Sequence, residues 1–353
     1  LGLREDKKPE EVVHERVNRS AGNPSPRRGE QGRAGAPERR GAQKSRSRSG
    51  QTRPPAKTRP TEDVVAGVRI THADRSFYKG EDIGKGDIAR YWDAVADAAL
   101  PYLRDRPLMV LRCTEGAAAP CFFQKHWGRG MPESVPRVDV QEQDGTRQYM
   151  YVNGETALIT LVQFGVLEVH VWGARRDRLD KPDQLTFDLD PDEGLPWDRV
   201  VDAAVALRER LGPLGLDTFV RTTGGRGLHV MAPLVRRAGW DEVREFTRAV
   251  AQELVESDPQ GYTATASKKG RKGKIFIDYL RNAANGTVIA SFSPRAREGA
   301  PVAVPLSWDE LDAGAERPVF TVNDVPDRVR AQKRDPWDGF TSLRQSLPRK
   351  RGR

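Results

Sequence analysis

Apolar positions recur along this chain at two spacings, and the spacings predict its elements. Residues 87–103 carry Ile88, Trp92, Val95, Ala99 and Leu103 at the three- and four-residue steps of one helix face. Residues 199–211 repeat the pattern with Val200, Ala204, Leu207 and Leu211, and residues 240–255 with Val243, Phe246, Val250 and Leu254. Short runs with apolar, β-branched and aromatic residues predict strands at 108–112, 157–162, 168–172, 185–190, 218–221, 229–232, 274–279 and 287–292. Helices and strands do not alternate strictly, which favours an α+β fold over a doubly wound sheet. No internal repeat is visible.

Charge changes the picture at one end only. The 353 residues hold 59 Lys+Arg against 50 Asp+Glu, a net charge of +9. Residues 21–60 alone hold eleven basic and two acidic side chains, so the whole surplus sits there. That segment is rich in Gly, Pro, Ser and Arg and nearly free of large apolar residues, so it reads as a disordered linker. Two roles stay open for it, a solvated tether and a non-specific contribution to nucleic-acid binding. The folded part is expected at 61–348, followed by a basic tail at 349–353. No run of 18 apolar residues predicts a membrane span, and the polar start carries no signal-peptide pattern. Because Leu1 is not a start methionine, the chain reads as a piece of something longer. Cys113 and Cys121 read as ordinary buried thiols, in keeping with a reducing compartment.

Three motifs could carry chemistry. In Thr186-Phe187-Asp188-Leu189-Asp190-Pro191 the two aspartates are two apart on a strand, so they leave the same face. Carboxylates that close repel each other, and a divalent metal would relieve the repulsion; the bland alternative is a solvated strand end. Pro191 would end the strand and place the pair at a sheet edge or mouth. In Arg221-Thr222-Thr223-Gly224-Gly225-Arg226-Gly227-Leu228-His229-Val230 three glycines let the backbone approach a ligand and aim its N–H groups at an anion. A plain hairpin turn would use the same residues, and no Walker pattern is present. In Lys274-Ile275-Phe276-Ile277-Asp278-Tyr279-Leu280-Arg281-Asn282 a lone Asp sits in an apolar strand. Its burial would call for a cation, and it could complete a site with Asp188 and Asp190. All-carboxylate ligation suits Mg²⁺ or Mn²⁺; zinc is not indicated, because no Cys/His cluster has ligand spacing. Together the motifs point to nucleotidyl transfer with two metal ions.

These motifs, with THADRSFYKGEDIGKGDIARYWDAV, RPLMVLRCTEG, PCFFQKH, LEVHVWGAR and PRAREGAPVAVPLSWDEL, resemble the polymerase domain of bacterial DNA ligase D, within the archaeo-eukaryotic primase superfamily. The likeness runs from about Val64 to about Pro348, and residues 1–20 resemble the end of the preceding ATP-dependent ligase domain. It implies a primase-polymerase core of mixed and antiparallel sheets flanked by helices. It implies Asp188, Asp190 and Asp278 as catalytic metal ligands. Thr223, Gly225, Gly227, His229, His170 and Arg295 would meet the nucleotide, whether ribo- or deoxyribonucleoside triphosphate. Arg75 and Lys85 would grip DNA, Lys85 at a 5′ phosphate. Phe122 and Phe123 would lie beside template and nucleotide, and the loop 267–273, with Lys268 and Arg271, would engage primer or template end. Read without the resemblance, His72, His126 and His170 are ordinary surface or core histidines and Phe122 and Phe123 core residues. Two departures stand out: serine is usual where Thr223 stands, and residues 283–286 lack the customary Arg/Gly-rich run.

The implied activity is templated extension and filling of broken DNA ends, with a preference for ribonucleotides and manganese. The implied partners are DNA ends, gapped duplex with a 5′ phosphate, the end-binding protein Ku and a ligase domain in the same chain, in the bacterial cytoplasm at the nucleoid. The competing readings are a de novo primase, a catalytically silent end-binding module and a metal-dependent phosphodiesterase. Three intact carboxylates oppose the silent module, and a triphosphate loop opposes the phosphodiesterase.

Overall fold

The three periodic segments are helices, and most positions that set their period are buried. In the computed structural model, which describes residues 62–348 apart from 79, 129 and 312–315, they run a little longer than their patterns. The expected ligase-like tail, the basic linker and the basic C-terminal tail lie outside the described residues. Along the chain come strands β1 (Glu62–Val65) and β2 (Val68–Thr71), helix α1 (Lys85–Leu103), β3 (Leu108–Arg112), β4 (Phe122–Gln124), β5 (Arg137–Glu142), β6 (Gly145–Met150) and helix α2 (Glu155–Gln163). They are followed by β7 (Val166–Trp172), β8 (Gln184–Pro191), α3 (Trp197–Leu211), β9 (Phe219–Thr222), β10 (Leu228–Pro233), α4 (Trp240–Ser257), β11 (Tyr262–Thr263), β12 (Ile275–Asp278), β13 (Thr287–Ile289), β14 (Pro305–Leu306) and α5 (Val325–Ala331).

Six strands form one sheet in the order β11-β12-β8-β10-β9-β14, antiparallel except for β11 beside β12. Four form a second, antiparallel sheet in the order β13-β7-β3-β4. The fold is thus α+β, as the patterning implies. Leu185, Phe187 and Leu189 of β8 are fully buried in a core that also holds Leu207 of α3 and Leu254 of α4. Each such side chain contributes about 1.5–3 kcal/mol when removed from water. Alternation along β8 then sends Thr186, Asp188 and Asp190 to the opposite face. A second core joins Trp92 and Leu103 of α1, Leu158 of α2, and Leu108 and Val169 of the smaller sheet.

Three expectations need correcting. Residues 157–162 are not a strand but most of α2. All six side chains are buried, so neither period shows; Gly154 and Glu155 at the start are the helix signals. The strand expected to reach Phe292 ends at Ile289, and Phe292 sits at φ +66, where the chain turns away. Cys113 and Cys121 are not free thiols: they form a disulfide with Cα atoms 4.5 Å apart. They continue the β3–β4 pairing by one step beyond Arg112 and Phe122, where directly opposed residues come close enough to bridge. The thiol argument for a reducing compartment falls with it. No helix among the described residues is long and apolar enough to cross a membrane.

Candidate active site

Strand pairing brings the first and third motifs together. On the β8–β12 pair Asp278 lies opposite Asp188, and Phe276 opposite Asp190. On the other side of β8, His229 of β10 lies opposite Asp188. The carboxylates stand near the C-terminal end of an inner strand that finishes at Pro191, not on a sheet edge. Asn282 pins the segment after β12 to β8: its amide accepts from Thr186 N at 2.8 Å and donates to Thr186 O at 2.7 Å.

Two arginines and a histidine line this acidic face. Arg281 Nε is 3.0 Å from Asp278 Oδ2 and 3.5 Å from Asp188 Oδ2. Arg271 Nη1 is 3.3 Å from Asp190 Oδ2, and its guanidinium lies over the Phe276 ring at 3.8 Å. His229 Nε2 is 3.3 Å from Asp188 Oδ1. Burial, opposed by Arg281 and reinforced by Asp188, pushes the Asp278 carboxyl above the usual range. Enclosure and the neighbouring Asp188 do the same to Asp190. Burial depresses the His229 imidazole to about 4 despite Asp188 beside it.

Among the described residues no three His, Cys, Asp or Glu side chains are gathered tightly enough to hold a metal ion as they stand. The donor set nevertheless fits a hard divalent cation: oxygen ligands only, from adjacent strands, with the Asp188 charge helping to raise the proton affinity of Asp190 and Asp278 and calling for positive charge nearby.

The glycine-rich turn joins β9 to β10 beside the carboxylates. Gly224 is left-handed at φ +65, and a Cβ on Gly227 would lie 2.1 Å from the Leu189 carbonyl oxygen of β8. The Thr223 hydroxyl closes the turn from within, donating to Gly227 O at 3.1 Å and accepting from Gly225 N at 3.2 Å. Arg295 donates to the Thr223 carbonyl, and Arg317 to the Gly225 carbonyl at 2.9 Å. Arginines therefore rim the turn.

A second histidine stands on β7. His170 Nε2 is 2.9 Å from Glu168 Oε2, and Glu168 also faces Arg295 Nε at 3.2 Å. Against the cost of burial, His170 and Arg295 draw the Glu168 carboxyl down to about 2. Phe123 meets His170 edge-on at 5.6 Å, so aromatic and imidazole share one wall. Phe122 and Phe123 are both exposed, at 45% and 39%, and Arg112 lies over Phe122 at 5.3 Å.

The expected DNA contacts are placed less simply. Lys85 is buried, its ammonium donating to Thr71 O at 2.8 Å. Burial, with Arg75 adding, lowers its pKa to about 8. Arg75 donates to Thr114 O at 2.7 Å. Lys268 opens a 3₁₀ turn that ends at Arg271. The structure thus gathers Asp188, Asp190, Asp278, His229 and Arg271 at one point, and His170, Arg295 and Phe123 along one wall. Sequence reading gave no role to Glu168, Arg221, Arg281 and Asn282, although all four stand inside its motifs. Arg281 was within reach, three residues after Asp278; Arg221 opens the glycine-rich motif, with no signal that it would turn to the histidine near the motif's end.

A carboxylate face on a mixed sheet, a glycine-rich turn rimmed by arginines and exposed aromatics nearby define a nucleotidyltransferase of the primase-polymerase class. The chain belongs to the LigD primase-polymerase domain family, which residues 84–337 match. It is 35% identical over 347 residues to the multifunctional non-homologous end joining protein LigD of Pseudomonas aeruginosa, covering 98% of this chain and 38% of that protein. It is 34% identical over 258 residues to the Mycobacterium tuberculosis multifunctional non-homologous end joining DNA repair protein LigD, covering 71% and 34%. This chain therefore spans under two fifths of the length of these relatives. Its fold superposes on the polymerase domain from Mycobacterium tuberculosis Ligase D in complex with DNA with a TM-score of 0.73 and 30% identity, over 78% of this chain and 98% of that one.

Proposed function

We propose that this chain extends and fills broken DNA ends by nucleotidyl transfer, within a longer end-joining enzyme. The observation that carries the reading is the register that sets Asp278 and His229 on either side of Asp188, next to the glycine-rich turn. Asp188, Asp190 and Asp278 would hold two divalent ions, Mn²⁺ or Mg²⁺, which when bound neutralise charge on the transferring phosphate.

The chain's own groups do the rest. Backbone N–H groups of the turn, with Arg295 beside it, cradle the triphosphate. His229 donates a hydrogen bond at the phosphate end, and His170, held by Glu168, faces the nucleotide. Phe122 and Phe123 give template bases a stacking surface that needs no particular sequence. Arg75 and Lys85 grip the DNA, Lys85 at the 5′ phosphate of a gap, and the loop 267–273 engages the primer or the template end. A preference for ribonucleotides and manganese, cooperation with Ku, a ligase domain ending in residues 1–20 and a place at the bacterial nucleoid complete the reading. Its support is the family membership and an alignment with the Pseudomonas aeruginosa relative that takes in 98% of this chain.

Primer extension on a gapped duplex bearing a 5′ phosphate tests it, with Mn²⁺ and either nucleotide set. Templated addition by wild type, lost in Asp188→Ala and Asp190→Ala with DNA still bound, is the expected result. Normal extension by either variant would sink the metal assignment; no extension by wild type would leave a silent end-binding module.

A further inference from the structure

We propose that Arg221 is a positioning residue that fixes the tautomer of His229, making it a hydrogen-bond donor at Nε2 and not a metal ligand. The proposal rests on the nucleotidyltransferase reading of this site, but its geometry does not.

Arg221 on β9 and His229 on β10 are cross-strand partners, each only 2% exposed. Arg221 Nε and Nη2 lie 3.1 and 3.0 Å from His229 Nδ1. A guanidinium has donors and no acceptor. Nδ1 must therefore offer its lone pair to Arg221, and the proton of the neutral ring belongs on Nε2. That nitrogen faces Asp188 Oδ1 at 3.3 Å. A nitrogen that carries the proton has no lone pair for a cation. It can donate to Asp188 or to a phosphate oxygen brought beside it.

The guanidinium is itself held firmly. Nη1 donates to the Ser291 hydroxyl at 2.8 Å, and Nη2 to the Ile289 carbonyl. Trp337 covers it, with the ring centre 5.9 Å from its central carbon. The Trp337 indole is anchored in turn by donating to Val220 O at 2.9 Å. A chain of contacts thus runs from the C-terminal segment through Arg221 to the imidazole beside the carboxylates. A buried cation is a costly way to fill space. What it supplies here that an apolar side chain could not is a donor aimed at Nδ1.

The test reads the tautomer directly. The full chain is labelled with ¹⁵N-histidine, and long-range proton–nitrogen spectra are recorded without nucleotide; His229 is assigned by the signals lost in His229→Gln. The expected pattern is a pyridine-type Nδ1 and a pyrrole-type Nε2. A protonated Nδ1 in the wild type overturns the proposal whatever the activity, and so separates its failure from failure of the functional reading. In Arg221→Met the tautomer preference should disappear and kcat fall about 10- to 100-fold, the size of loss known for partners that fix the tautomer of metal-bound histidines, with DNA affinity unchanged. Arg221→Lys keeps a donor and should recover part of the loss. An Arg221→Met protein with unaltered tautomer and kcat also refutes the idea. Should that variant not fold, the wild-type spectrum and Arg221→Lys still decide.

Discussion

Asp278 faces Asp188 directly across the β12–β8 pair, with Arg281 Nε within 3.5 Å of both carboxylates. Two acids are thereby held where burial and mutual repulsion favour the protonated form of Asp278. Such a pair costs stability unless a cation is near, and Arg281 meets part of that need.

The relationship predicts a trade between stability and activity at Asp278. Its folded pKa lies above the ordinary value, so the folded chain gives up this proton less readily than the unfolded one. Stability from this group is present at low pH and is lost as pH rises through the folded pKa. Asp278→Asn removes the charge and keeps the shape. At neutral pH without divalent ions its Tm should exceed that of wild type. Extension should fall by roughly a thousandfold, since the lost electrostatic stabilisation is several kcal/mol. A Tm below wild type at neutral pH would show that the carboxylate is held favourably.

Lys85 predicts a pH dependence of the opposite kind. Its pKa falls from 10.5 to about 8, chiefly through burial and then through Arg75. Between those two values the unfolded chain holds a proton that the folded chain has released, so stability from this group rises with pH across that window. Lys85→Met should flatten the rise in a comparison of Tm across the window. The same titration bears on DNA. Only the charged ammonium attracts a 5′ phosphate, so the affinity advantage of a phosphorylated gap should shrink above about pH 8. Fluorescence anisotropy with phosphorylated and unphosphorylated duplexes measures it, and an advantage that does not change through this range moves the phosphate contact elsewhere.

The carboxylates were legible because strand spacing is simple: Asp188 and Asp190 must share a face, and Asp278 needed only a neighbouring strand to join them. The three long helices were legible from their amphipathic faces. Helix α2 was not, because burial on every side erases the period. The β5–β6 hairpin was passed over although Asp144-Gly145 is a turn signal, because its strands are mostly polar and exposed. The disulfide was hidden because a spacing of eight says nothing of a hairpin that sets two cysteines face to face. Arg221 and Glu168 were hidden for a related reason. Each acts on a histidine whose position depends on pairing between strands, and a lone charged residue in sequence reads as solvated.

Gly225 and Gly227 stand two residues apart in the same turn yet should respond differently to alanine. A Cβ at Gly225 meets the Arg297 guanidinium at 3.0 Å and the Thr223 hydroxyl at 3.3 Å. The first is the far end of a flexible side chain and can move. A Cβ at Gly227 falls 2.1 Å from the Leu189 carbonyl oxygen, which belongs to the backbone of β8. Leu189 is the residue between Asp188 and Asp190, and Leu228, next to Gly227, pairs with it. Relieving that clash must push β8 away from β10, at the step beside the Asp188–His229 pair. Overpacking of this kind costs typically 1–3 kcal/mol. Gly227→Ala should therefore lower Tm and abolish extension together, because stability and the carboxylate register depend on the same strand contact. Gly225→Ala should leave Tm near wild type and raise the nucleotide KM, because its methyl group narrows only the turn. Thermal melts and steady-state extension kinetics on the two variants separate the cases. Equal effects of the two substitutions would mean that the approach of Gly227 to β8 does not set the position of Asp188.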